Sequence, residues 1–196
     1  SGTRDATQRG KTVGNERFSL LDTLRDDDQN VIMQATSARS SEGVGTEVVK
    51  MDVLSGRGVS LGRARKEHCT ITLHAAKQPR FAVCSSSKDE EGEYDERSEL
   101  YRLDGKTWTL VNSSTRGGKH LSVKHTTRDG TVYAFQDDGK TPSAIGKLDT
   151  GTGAFQPLYQ DKVAEISDLL WSTDDNTLLG VVTEAGAPDV HLLDES

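Results

Sequence analysis

The stretch with the most familiar chemical spelling is Gly58-Val59-Ser60-Leu61-Gly62. Gly-x-Ser-x-Gly is the spacing of a nucleophile elbow, in which a strained strand-to-helix turn pushes the serine oxygen out beside an oxyanion hole. A hydrolase would need a His and an Asp to go with it. His68, His74, His120, His125 and His191 all lie downstream, among many Asp, so chain order excludes nothing. Local context is more informative. The pentapeptide follows a Ser55-Gly56-Arg57-Gly58 turn and reads as a strand, and no α/β alternation is present to build such a site. Ser60 is therefore expected to be an ordinary strand residue, and no catalytic residue is assigned.

Metal chemistry is read the same way. Asp26-Asp27-Asp28-Gln29-Asn30 invites a calcium loop, but an EF-hand needs Gly at its sixth position and Glu at its twelfth, where this chain has Val31 and Ser37. A solvated turn is expected there, as for Asp174-Asp175-Asn176. Asp89-Glu90-Glu91-Gly92-Glu93-Tyr94-Asp95-Glu96 could hold a cation or face a basic partner; dense like charge repels and stays hydrated, so a surface loop is the preferred reading. The five His form no His-x-His or His-x-x-x-His pair, and His191 reads as a packed strand residue. The glycines of Gly56-Arg57-Gly58 and Gly151-Thr152-Gly153 serve turns, with no following helix to present amides to a phosphate. Asn112-Ser113-Ser114 spells a glycosylation triplet, but nothing marks a secreted eukaryotic chain. No metal or cofactor is assigned.

The chain has two cysteines, Cys69 and Cys84, on neighbouring predicted strands across the Lys77-Gln78-Pro79 turn. They could lie nearly opposite each other, so a cross-strand bridge is conceivable. Two cysteines make no disulfide framework, however, and two small buried thiols are the preferred reading. The 196 residues carry a formal charge of -7, which argues against a nucleic-acid footprint of clustered Lys and Arg. No apolar run approaches the roughly 18 residues of a membrane span, and Ser1 to Gly14 is too polar for a signal peptide. A cytoplasmic bacterial location is expected. The Ser-Gly start without Met suggests a segment excised from a longer chain.

Hydrophobic content of 33% and a mean hydropathy of -0.62 suit several thin sheets better than one thick core. The end of the chain shows the repeat. Strand signals at Ser167–Ser172, Thr177–Thr183 and Asp189–Leu193 are separated by the turns Thr173-Asp174-Asp175-Asn176 and Ala185-Gly186-Ala187-Pro188. Third strands of successive units end on an apolar residue and an Asp: Met51-Asp52, Leu103-Asp104, Leu148-Asp149 and Leu193-Asp194. Their intervals of 52, 45 and 45 residues, each holding four strands, are close to the roughly 40–50 of a β-propeller blade. The expected fold is all-β: a propeller or partial propeller of about four blades, each a four-stranded antiparallel meander. Its expected divisions are a lead segment or lone strand over 1–16 and blades over 17–66, 67–118, 119–164 and 165–196, the last with three strands. A β-sandwich is the alternative, but it imposes no such in-phase recurrence. Trp108, Trp171, Tyr101, Tyr133 and Phe135 should fill space between blades. Open blade edges could pair two copies, or the N-terminal strand could complete the last blade.

Three segments carry a resemblance. They are Leu20-Leu21-Asp22-Thr23-Leu24-Arg25-Asp26-Asp27, the Lys50-Met51-Asp52-Val53-Leu54-Ser55-Gly56 turn, and Leu169-Leu170-Trp171-Ser172-Thr173-Asp174-Asp175 with Leu179-Gly180-Val181 and Val190-His191-Leu192-Leu193-Asp194 behind it. Together they resemble the N-terminal propeller of prolyl-oligopeptidase-family serine peptidases of the bacterial acylaminoacyl-peptidase or dipeptidyl-aminopeptidase type. Trp171-Ser172-Thr173-Asp174-Asp175 is similar to the Trp/Phe-Ser-Pro-Asp-Gly signature of those blades, with Thr for Pro and Asp for Gly. The resemblance implies a propeller without chemistry of its own, limiting peptide access to a C-terminal α/β-hydrolase domain that carries the triad and has no counterpart here. A free-standing propeller that serves as a scaffold for protein–protein interaction is the alternative.

Overall fold

The computed structural model describes residues 16–39, 43–64, 66, 68–86, 97–115, 118–174 and 177–193. These form fifteen strands and no helix. The first sheet is β1 (Glu16–Asp22), β2 (Asn30–Arg39), β3 (Gly43–Asp52) and β4 (Gly58–Arg63). The second is β5 (Cys69–Leu73), β6 (Pro79–Ser86), β7 (Arg97–Asp104) and β8 (Thr107–Thr115). The third is β9 (His120–Thr126), β10 (Val132–Asp137), β11 (Ala144–Leu148) and β12 (Phe155–Tyr159), and the fourth is β13 (Ile166–Trp171), β14 (Leu178–Glu184) and β15 (Pro188–Leu192). Within each sheet the strands neighbour one another in chain order, and every pairing is antiparallel.

Side-chain alternation explains why sheets of this kind must stack. In β6, Phe81 and Val83 pack toward the third sheet, while Ala82 and Cys84 pack toward the first. In β10, Val132 and Ala134 pack toward the second sheet, while Tyr133 and Phe135 pack toward the fourth. Short apolar runs such as Phe81-Ala82-Val83-Cys84 are therefore apolar at every position because both faces are covered. Each of the three apolar clusters lies between two successive sheets. Ile32 and Val48 meet Ile71 and Ala82; Phe81 and Leu100 meet Leu121 and Val132; Tyr133 and Ile145 meet Leu178 and Val181. Antiparallel meanders stacked face to face in chain order are the blades of a β-propeller, and the all-β propeller fold is what the chain adopts.

The recurrent Asp after the third strand has a turn-building role. The Asp52 carboxylate accepts the backbone N–H of Leu54 (3.0 Å) and Ser55 (2.7 Å), and the Asp149 carboxylate accepts those of Gly151 (2.8 Å) and Thr152 (3.3 Å). Both turns close through a glycine of positive φ, Gly56 at 67° and Gly153 at 75°, whose N–H returns to the Asp carbonyl. Side-chain capping of this kind is what Asp offers a turn. Asp104 differs, because its hairpin turns in two residues; its carboxylate instead takes the guanidinium of Arg102 at 2.8 Å. Arg102 also donates to the Thr150 carbonyl (2.8 Å), tying the second sheet to the third.

Candidate functional site

The serine with hydrolase spelling is not set up as a nucleophile. Ser60 is an exposed residue inside β4, paired across the ladder with Val49, and its hydroxyl makes no hydrogen bond to a His among the described residues. The Asp26–Asn30 stretch is a turn, as its sequence suggested. Asp27 accepts Lys50 at 2.7 Å and the Asn30 amide at 2.9 Å, and these two bonds hold its carboxyl down at about 2. Its oxygens are thus already committed to groups of this chain. The acidic run Asp89–Glu96 lies outside the described residues. No group of three or more His, Cys, Asp or Glu placed to hold a metal occurs among the described residues.

The histidines are scattered over the sheets. His74 closes its own turn by accepting the Ala76 N–H at 3.1 Å, and His68 sits exposed at a positive φ of 50°. His120 Nδ1 is buried without a hydrogen-bond partner. His125 packs on the Trp171 indole with ring centroids 4.4 Å apart, and His191 lies 3.1 Å from the Thr183 hydroxyl and 5.0 Å from the Tyr159 ring. Asn112 of the glycosylation triplet is half-buried within β8, opposite Leu100, and Ser114 beside it is buried. The aromatic side chains take the space-filling places expected of them. Trp108 and Tyr101 lie against the cluster between the first two sheets, and Tyr133, Phe135 and Trp171 against that between the last two.

The cysteines correct the sequence reading. Cys69 and Cys84 stand directly opposite each other on β5 and β6 and are bonded, with both residues 4% exposed. Two isolated thiols were preferred because two cysteines cannot frame a fold; a hairpin register that sets them face to face needs no framework. Next to them on β7, paired with Cys84, is Glu99. It is 8% exposed, and its carboxylate accepts Lys66 Nζ at 2.5 Å and the Tyr101 hydroxyl at 2.9 Å. Burial pushes the Glu99 carboxyl up, but the Lys66 and Tyr101 hydrogen bonds and the nearby positive charge outweigh it and leave it below the usual carboxylate range. The Glu99 hydrogen bond in turn raises Lys66 above the ordinary lysine value. A buried acid kept ionised by its own partners fastens the first seam; it is not poised to exchange a proton.

The seam between the third and fourth sheets carries a cleft at its surface. A cleft of about 330 Å³ lies between β9 and β13, walled by Phe135, Ile166, Leu169 and Trp171. Three exposed polar residues, Lys124, Ser167 and Asp168, complete its lining. Both strands are irregular at this place. In β9 the pairing steps from His125 to Val123 and leaves Lys124 as an extra residue; in β13 it steps from Ile166 to Asp168 and leaves Ser167. Bulges re-aim side chains that a regular ladder would hold to one face. The Lys124 ammonium stands over the Phe135 ring, 5.1 Å from its centroid. These bulges could not be read from the sequence, since Leu121 to His125 shows unbroken strand alternation.

Comparison with known proteins adds only a general likeness. No protein-family model matches the chain. No curated protein matches it either. Among solved structures, TolB from Acinetobacter baumannii aligns at 9% identity over 92% of this chain and 50% of its own, with a TM-score of 0.44. The periplasmic gluconolactonase PpgL from Pseudomonas aeruginosa aligns at 14% identity over 79% of this chain and 46% of its own, with a TM-score of 0.40. The chain thus spans about half the length of the solved structures it matches. Its class, an all-β propeller, rests on its own sheets.

Proposed function

We propose that this chain is a non-catalytic propeller segment of a prolyl-oligopeptidase-like serine peptidase, one that filters peptide access to a hydrolase domain carried elsewhere. The observation that carries the reading is the apolar character of the sheet surfaces at both ends of the stack. In the fourth sheet Val190 and Leu192 are 55% and 75% exposed, and in the first Leu20 is 55% exposed. In the interior sheets the residues facing a neighbour, such as Phe81 and Ala134, are covered, although Leu110 and Leu158 on their last strands are exposed; surfaces like these suit further blades or a docked domain. The signature-like Trp171-Ser172-Thr173-Asp174-Asp175 run supports the family part of the proposal. The partner is the C-terminal α/β-hydrolase domain of the same parent, with pairing of two copies through open blade edges as a further possibility of the same surfaces. The buried Cys69–Cys84 bond favours an oxidising compartment over the cytoplasmic location that composition suggested.

The test is to sequence the gene through the codons after Ser196 and to express the whole product. An α/β-hydrolase domain whose serine reacts with a fluorophosphonate probe is the expected result. A stop codon at that point would refute the peptidase reading and leave the alternative, a free-standing interaction scaffold. Probe labelling that disappears in Ser60→Ala would overturn both.

A further inference from the structure

We propose that the cleft between β9 and β13 is a binding site for an apolar carboxylate, a small acid whose charged end meets Lys124 and whose hydrocarbon or aromatic body lies against Trp171 and Phe135. This inference does not depend on the peptidase reading. The volume of about 330 Å³ is at the lower end of small-ligand pockets, and four of its seven lining residues are aromatic or aliphatic. Two donors in the lining have no acceptor among the described residues. Lys124 forms no ion pair among the described residues, its one contact being the Phe135 ring, and the Trp171 indole N–H makes no hydrogen bond to them. Trp108 offers the contrast, since its indole N–H donates to the Arg63 carbonyl at 2.9 Å.

Of the other polar groups of the lining, Ser167 is engaged and Asp168 has one carboxylate oxygen engaged. Ser167 donates to the Val182 carbonyl at 3.2 Å, and Asp168 accepts the Leu169 N–H at 2.8 Å. The two donors beside an apolar wall fit a ligand with acceptors at one end, and the Asp168 carboxylate in the same lining opposes its charge. Lys124 lies two residues on from Ser122, the strand partner of Phe135, so its side chain shares the face of the Phe135 ring at the cleft.

The experiment follows the Trp171 indole N–H resonance of the isotopically labelled protein, assigned with Trp171→Phe, during titration with 3-phenylpropionate, its neutral amide and acetate. Expected is a saturable shift with the acid, at least about tenfold weaker with the amide, with acetate and in Lys124→Gln, as loss of a charge-assisted contact requires. Asp168→Asn should bind the acid at least as well. Both varied residues are exposed, and the remaining amide spectrum reports whether each variant keeps its fold. Absence of a saturable shift, equal binding of acid and amide, unchanged affinity in Lys124→Gln, or weakened binding in Asp168→Asn would each overturn the proposal.

Discussion

Replacing both cysteines, Cys69→Ala with Cys84→Ala, gives the sharpest energetic test. The bond joins residues 15 apart in sequence, so it removes from the unfolded chain the entropy of closing a loop of that size. The chain-entropy relation sets this at about 3 kcal/mol at 25 °C. Loss of two buried sulfurs from the cluster shared with Ile71 and Ala82 adds to the cost and does not offset it. For a chain of this length 3 kcal/mol corresponds to a fall in melting temperature of about 6–12 °C. Urea unfolding of the oxidised wild type and the double variant, followed by far-UV circular dichroism, gives the comparison directly. The denaturant slope should be larger in the variant, since an uncrosslinked unfolded chain exposes more surface. Thiol titration of the denatured, unreduced wild type should find no free thiol. Two free thiols, or a double variant within about 0.5 kcal/mol of the wild type, would refute the reasoning.

Other expectations follow from particular contacts. Glu99→Gln should cost about 1 kcal/mol at neutral pH, a modest figure because the Lys66 partner is half-exposed. The folded Glu99 carboxyl titrates below its unfolded value, so its stabilisation is complete above roughly pH 4.3 and is lost as pH falls through the folded value. Urea midpoints of wild type and Glu99→Gln should therefore converge as the pH is lowered below about 4.3. Gly146→Ala would put a methyl 2.3 Å from the Gln156 carbonyl oxygen, a backbone atom that cannot swing aside, and should destabilise by about 2 kcal/mol or more in the same assay. Gly56→Ala meets no atom but must hold a φ of 67°, and should cost about 1 kcal/mol.

Strand order and stacking were legible in the sequence because they rest on local patterns. The short apolar run Val132-Tyr133-Ala134-Phe135 and turn residues at Asp52 and Asp149 each act within a few residues of the chain. What stayed hidden depends on groups distant in sequence. Lys66 and Glu99 are separated by the β5–β6 hairpin and by residues 87–96, and nothing in either neighbourhood announces their ion pair. The bulges at Lys124 and Ser167 are set by how two ladders accommodate each other, so a strand that looks regular can still carry an extra residue. The cysteine pair lay between these cases. Its register could be read, but bonding depends on redox conditions that a sequence does not state.

Each apolar cluster is shared by just two successive sheets. Cohesion in this chain therefore runs like a row of coupled links. Losing one sheet strips its neighbour of a single flank and leaves more distant sheets their own contacts. Amide exchange should grade along the row, slowest in β6 and β10, which are covered on both sides, and fastest toward β1 and β15. Such a fold can be shortened or lengthened by whole sheets with a change in stability at one joint, which is the latitude that gene duplication exploits.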